Sequence, residues 1–152
     1  MRRLLIMMVA AVLPCMAQAQ DATPPALGTV DRMFHDTQKA RVVCRLAMQV
    51  QLIKRELAGS GVKDGDKNAN EGETCIAREK IEMGQSYKAA IAKLAKKPEA
   101  LKSAKQYHVF ALTMLDGMHP LGGEVKIQYV ARQNANDVRL KELENLVRVD
   151  AQ

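Results

Sequence analysis

Aromatic residues make up only 3% of this 152-residue chain, and tryptophan is absent. Proteins that grip single-stranded nucleic acid interleave aromatic side chains with cations. Neither that pattern nor an arginine-rich arm occurs here, so nucleic-acid binding is not the expected role. Long apolar runs are missing too. The longest, at the start of the chain, falls well short of the ~20 residues a helix needs to cross a bilayer. No stretch sustains the apolar and polar alternation of a strand, and no internal repeat is visible. The signatures of familiar chemistry are equally scarce. His35, His108 and His119 lie outside any Gly-x-Ser-x-Gly or His-Glu-x-x-His context. There is no Cys-x-x-Cys-His for haem and no Glu-x-x-His of the di-iron type. The expectation is a protein without catalytic activity and without a cofactor, because function has to be argued from a site.

What is present begins at the N-terminus. Met1-Arg2-Arg3 is followed by the apolar run Leu4 to Leu13 and then by Ala17-Gln18-Ala19, a small-x-small cleavage site. Residues 1–19 read as a cleaved secretory signal, leaving residues 20–152 as a single domain that begins at Gln20 and has no transmembrane segment. Arg2 and Arg3 leave with the signal, so the formal charge falls from +6 to +4, from 21 basic less 17 acidic residues. Pro14 precedes Cys15 where a lipidation signal wants a small residue, so no lipid anchor is expected. The expected location is the periplasm or the exterior. Cys44 and Cys75 are the two cysteines of the mature chain, and in an oxidising compartment such an isolated pair predicts a structural disulfide.

Four helical segments are expected. Val30 to Ala58 contains neither proline nor glycine. Val30, Met33, Phe34, Thr37, Ala40, Cys44 and Ala47 recur there at spacings of three and four, beside a stripe of Val43, Val50, Ile53 and Leu57. Gly59-Ser60-Gly61 stops the helix, and a polar loop runs to Glu73. A second helix starts near Thr74 with an apolar face of Ile76, Met83, Tyr87, Ala90, Ile91 and Leu94. Pro98 suits the first turn of a third, whose face is Leu101, Ala104, His108, Ala111, Leu112 and Leu115. Gly117 and Pro120 end it, and Gly122-Gly123 separates it from a fourth carrying Val125, Tyr129, Leu140, Leu143 and Val147. The expected fold is all-α, a four-helix up-down-up-down bundle stapled by one disulfide. The competing arrangement makes the second and third helices one bent rod around Pro98. The cysteines add a constraint: Cys44 lies about 21 Å before the end of the first helix at 1.5 Å per residue, so a tight hairpin cannot bring Cys75 to it.

Three constellations invite a functional reading. The loop beginning at Asp64 starts like a calcium-binding loop, but Ala69 and Cys75 stand where an EF-hand needs glycine and a bidentate glutamate. Met114, Met118 and His119 offer two thioethers and an imidazole, a soft set that would suit Cu(I) in a copper-handling protein. Gly117 falls between the methionines, however, and core filling accounts for them as well. Lys93, Lys96, Lys97, Lys102 and Lys105 are opposed only by Glu99 and make the junction of the second and third helices the most basic stretch, with Tyr107 at its edge. An anionic envelope component or an acidic protein would dock there. Size and export are shared with chaperone-, inhibitor- and immunity-type helical proteins, which favours an interaction protein over an enzyme.

Overall fold

The computed structural model describes residues 28–59 and 71–152. The expected signal segment, Cys15, the expected mature terminus at Gln20 and the Asp64 to Asn70 loop lie outside the described residues. Four helices account for the fold: α1 (Thr29–Ala58), α2 (Glu71–Leu94), α3 (Pro98–Asp116) and α4 (Lys126–Asp150). Among the described residues there is no strand.

An uninterrupted run of helix formers makes α1 the longest element, and it buries Met33, Phe34, Thr37, Ala40, Cys44, Met48 and Leu52. The spacing of three and four is as expected, but the lower half of the buried stripe is not. Val43, Val50 and Leu57 are exposed, and Met48 and Leu52 take the core positions. The cause is the neighbour. Cys44 bonds Cys75 with Cα atoms 5.5 Å apart, which turns this side of α1 onto α2. On its flank α1 meets α4 through long polar side chains: Arg41 and Arg45 reach Asp137 at 2.7 and 2.9 Å, and Arg45 donates to Asn134 at 2.7 Å.

Contacts between α1 and α2 run in opposite sequence order, as in an antiparallel pair. Lys39 meets Glu82 at 2.7 Å, Cys44 meets Cys75, and Met48 packs on Gly72. Gly72 permits that last approach, since a Cβ there would sit 2.7 Å from the Met48 methyl. The second helix begins at Glu71, three residues before the expected Thr74, and places Glu71 and Glu73 in the first turn, where negative charge suits the dipole. It starts level with Met48, so α1 extends about 15 Å further by its own rise. That overhang is held by the chain entering α4: the Arg55 guanidinium donates to the Glu124 carbonyl at 3.0 Å, and the Lys126 N–H donates to the Glu56 carboxylate at 3.0 Å.

Pro98 occupies the first turn of α3, where its missing N–H costs nothing. The third helix doubles back along α2, because Tyr87 stacks on His108 at 3.9 Å and Lys80 pairs with Asp116. The bent-rod alternative is thereby overturned. On α3 the core face is rotated from expectation: Ala100, Ser103, Ala104, Tyr107, Ala111, Met114 and Leu115 are buried, while Leu101, His108 and Leu112 sit at its margin. The return to α4 is fastened by Arg132, which donates to the carbonyls of Gly117 and His119 and pairs with Glu124 at 2.8 Å. Gly123 supplies the one positive φ among the described residues, +76°. Gln128 accepts from the Val125 N–H at 3.3 Å and so closes the start of α4. Ser103 donates to Asp150 at the other end, so α3 and α4 also run in opposite directions. Tyr107, Tyr129, Leu140, Val147 and Met118 fill the centre, where Phe34 meets Tyr107 edge to face at 5.1 Å.

Candidate functional site: the lysine end and the α3–α4 trough

The five lysines singled out by sequence are all exposed at the end of the molecule where α2 passes into α3. They are not equivalent. Lys97 caps the last residues of the chain, donating to the carbonyl oxygens of Ala151 and Gln152. Lys93, Lys96, Lys102 and Lys105 have no carboxylate partner among the described residues. Most cations elsewhere are committed: Lys39, Arg41, Arg45, Lys80, Arg132 and Arg148 all hold ion pairs, whereas the exposed Lys88 and Lys126 stand singly, away from this group. Uncompensated charge therefore concentrates at one end of the bundle. Tyr107, expected at the rim of this patch, is instead fully buried, because the rotated face of α3 carries it inward.

Lys102 and Lys105 lead into a surface feature that sequence reasoning missed. Between α3 and α4 lies a trough of about 470 Å³ floored by Val109, Phe110 and Leu143. Lys105 and Arg139 flank it, Gln106 and Thr113 complete it, and no carboxylate lines it. The only sequence signal was the basic, partly apolar outer face of α3 at Lys102, Lys105 and Val109. Its α4 wall could not be known before the register of the two helices.

Three buried glutamates were also unforeseen. Glu79 lies between Lys39 at 3.4 Å and Arg78 at 2.8 Å. Hydrogen bonds from Arg132 hold the Glu124 carboxyl below the usual range against the opposing effect of burial, with help from the Leu121 N–H. For Glu144 burial is the largest influence and acts upward, but Lys141 and Arg148, each donating at 3.0 Å, together outweigh it and leave the carboxyl depressed. Each buried carboxylate thus has a cation beside it and serves as a structural counter-ion. His108, half-buried against Tyr87, is pushed down by burial. Burial likewise raises the Tyr107 phenol strongly, and lifts Tyr129 to about 12.

The copper set is divided by the fold. Met114 and Met118 are core residues, whereas His119 is exposed and only its carbonyl is engaged, by Arg132. Among the described residues no group of three or more His, Cys, Asp or Glu side chains is placed to hold a metal ion, and no helix is long and apolar enough to cross a membrane. Comparison with protein-family models, curated proteins and solved structures finds no match for the chain.

Proposed function

We propose that this is an exported, non-catalytic binding protein that presents its lysine end to an anionic partner of the cell envelope. The observation that carries the reading is the group formed by Lys93, Lys96, Lys102 and Lys105, exposed and without carboxylate partners in a protein whose other cations are largely paired. Such a field steers and holds acidic surfaces. Export is supported by the charged, apolar and small-x-small order of residues 1–19 and by the Cys44–Cys75 disulfide, a bond that persists in oxidising compartments. Binding in place of catalysis is supported by the engagement of the buried carboxylates of Glu79, Glu124 and Glu144 as counter-ions to cations of the fold.

The test is charge reversal at Lys93, Lys96 and Lys102, sparing Lys97 because it fastens the chain end. Association of the mature protein with isolated envelope should weaken at least tenfold and lose most of its salt dependence. Association that is unchanged by all three reversals, or insensitive to salt from the outset, rejects the reading.

A further inference from the structure

We propose that the α3–α4 trough receives an acidic amphipathic helix of a partner protein. The proposal deepens the reading above and rests on it, by naming the chemistry of the anionic partner and the place where it is gripped.

Antiparallel packing sets the layout. Ser103 meets Asp150 at one end and the Gly117 carbonyl meets Arg132 at the other, so Lys105 lies towards the C-terminal end of α4 and Arg139 lies beside the Thr113 end of α3. The apolar floor of Val109, Phe110 and Leu143 is therefore bracketed by a cation at each end. On α4, Arg139, Leu143 and Leu146 stand at i, i+4 and i+7, which extends the apolar floor towards Lys102 and Lys105. From Lys105 to Thr113 is about 12 Å of helix, close to the span between residues i and i+7 on an opposing helix. An amphipathic helix anchors in a groove through that repeat.

Two features choose the occupant. Two cations and no carboxylate line the trough, so an acidic ligand is complementary and a basic one is not. Arg139 does hold Glu142 at 2.8 Å, but both side chains are more than half exposed, and a pair of that kind exchanges partners at little cost. The trough is also open: Val109, which lines it, remains 63% exposed. Sites for lipid tails and other small molecules enclose most of the ligand surface. An acyl chain here would stay largely in water, whereas a helix brings its own polar outer face.

The mature full-length protein is titrated by fluorescence anisotropy with three probes. The first is a synthetic amphipathic peptide with Leu at i, i+4 and i+7 flanked by Glu. The second is the same peptide with Lys in place of Glu, and the third is phosphatidylglycerol vesicles. The acidic peptide should bind one to one with a micromolar Kd at low salt, and the basic peptide at least a hundredfold more weakly. Lys105→Glu with Arg139→Glu should weaken the acidic peptide at least tenfold and strengthen the basic one. Val109→Asp should remove binding of both; its side chain is exposed, and an unchanged melting curve confirms the fold. No saturable binding of the acidic peptide, binding indifferent to Val109→Asp, or capture of vesicles without the peptide overturns the proposal. Envelope association of the same variants separates this failure from that of the broader reading. Association that needs Lys93 and Lys96 but ignores Val109 and Arg139 removes the trough alone, and association that ignores every lysine removes both.

Discussion

Replacing Cys44 and Cys75 together by alanine tests the most consequential link in the fold. The bond joins residues 31 apart in sequence, and neither cysteine is appreciably exposed. In the chain-entropy description, a closed loop of that length restrains the unfolded chain by about 12 cal/mol/K, or roughly 3.7 kcal/mol at 25 °C. A domain of this size has ~5–15 kcal/mol of stability in all, so the double variant should still fold, with a visibly lower midpoint. Because the effect acts on the unfolded chain, the denaturant slope should rise as that chain expands. Urea unfolding followed by far-ultraviolet circular dichroism measures both quantities. Serine in place of alanine should cost about 1 kcal/mol more, since Cys44 is fully buried and its hydroxyl would have to find a partner among apolar neighbours. A loss below about 1 kcal/mol with an unchanged slope would refute the reasoning and show that helix packing alone sets the α1–α2 register.

Two glycines of α2 should respond oppositely to alanine. A Cβ at Gly84 would have no neighbour within 4 Å, so Gly84→Ala should stabilise by about 0.5–1 kcal/mol through helix propensity. Gly72→Ala would bring a Cβ to 2.7 Å from the end of the fully buried Met48 side chain and should destabilise by about 1 kcal/mol, a cost that should shrink when the substitution is made in a Met48→Ala background. Stability should also fall with acid in two stages. His108 is depressed in the fold, so its contribution is complete above the unfolded value near 6.5 and is lost as pH falls through the lower folded value. Glu124 and Glu144 are depressed too, and theirs is lost below about 4.5. Thermal melts across pH should show both stages, and His108→Phe should remove the first; a melting point flat from pH 7 to 5 would sink that assignment. Intact mass of protein recovered from the periplasm should match a chain starting at Gln20 with both cysteines oxidised. A lipid-bearing or uncleaved terminus, or two free thiols, contradicts the export reading.

Local rules carried the helices. Absence of proline and glycine through α1, the proline at the head of α3 and the glycines after α1 and α3 decide which segments are helical without reference to any neighbour. They also place Cys44 well inside α1, which forces α2 to begin partway along it. The exposed lysines were legible for the same reason, since a charged side chain on a helix defaults to solvent. The expectation of export likewise rests on local order alone, in residues 1–19.

Which apolar residues became core was a tertiary decision. Both Val43, Val50 and Leu57 and the alternative Met48 and Leu52 satisfy helical periodicity; only the docking of α2 through Cys75 and Gly72 chose between them. A helical stripe fixes a face to within about one residue, and one residue is about 100° of rotation, enough to send Tyr107 inward and leave His108 at the margin. The burial of Glu79 was hidden because, besides its neighbour Arg78, it depends on Lys39 from α1, and that of Glu124 because the chain has to turn into α4 before Arg132, eight residues on, can reach it. For Glu144, the flanking Lys141 and Arg148 at i−3 and i+4 announce the pairing, but not that the carboxylate lies inside. The trough belongs wholly to the tertiary level. Periodicity assigns Lys105 and Val109 to an outer face of α3 and Arg139 to an outer face of α4, and only the antiparallel register of the two helices makes them one surface.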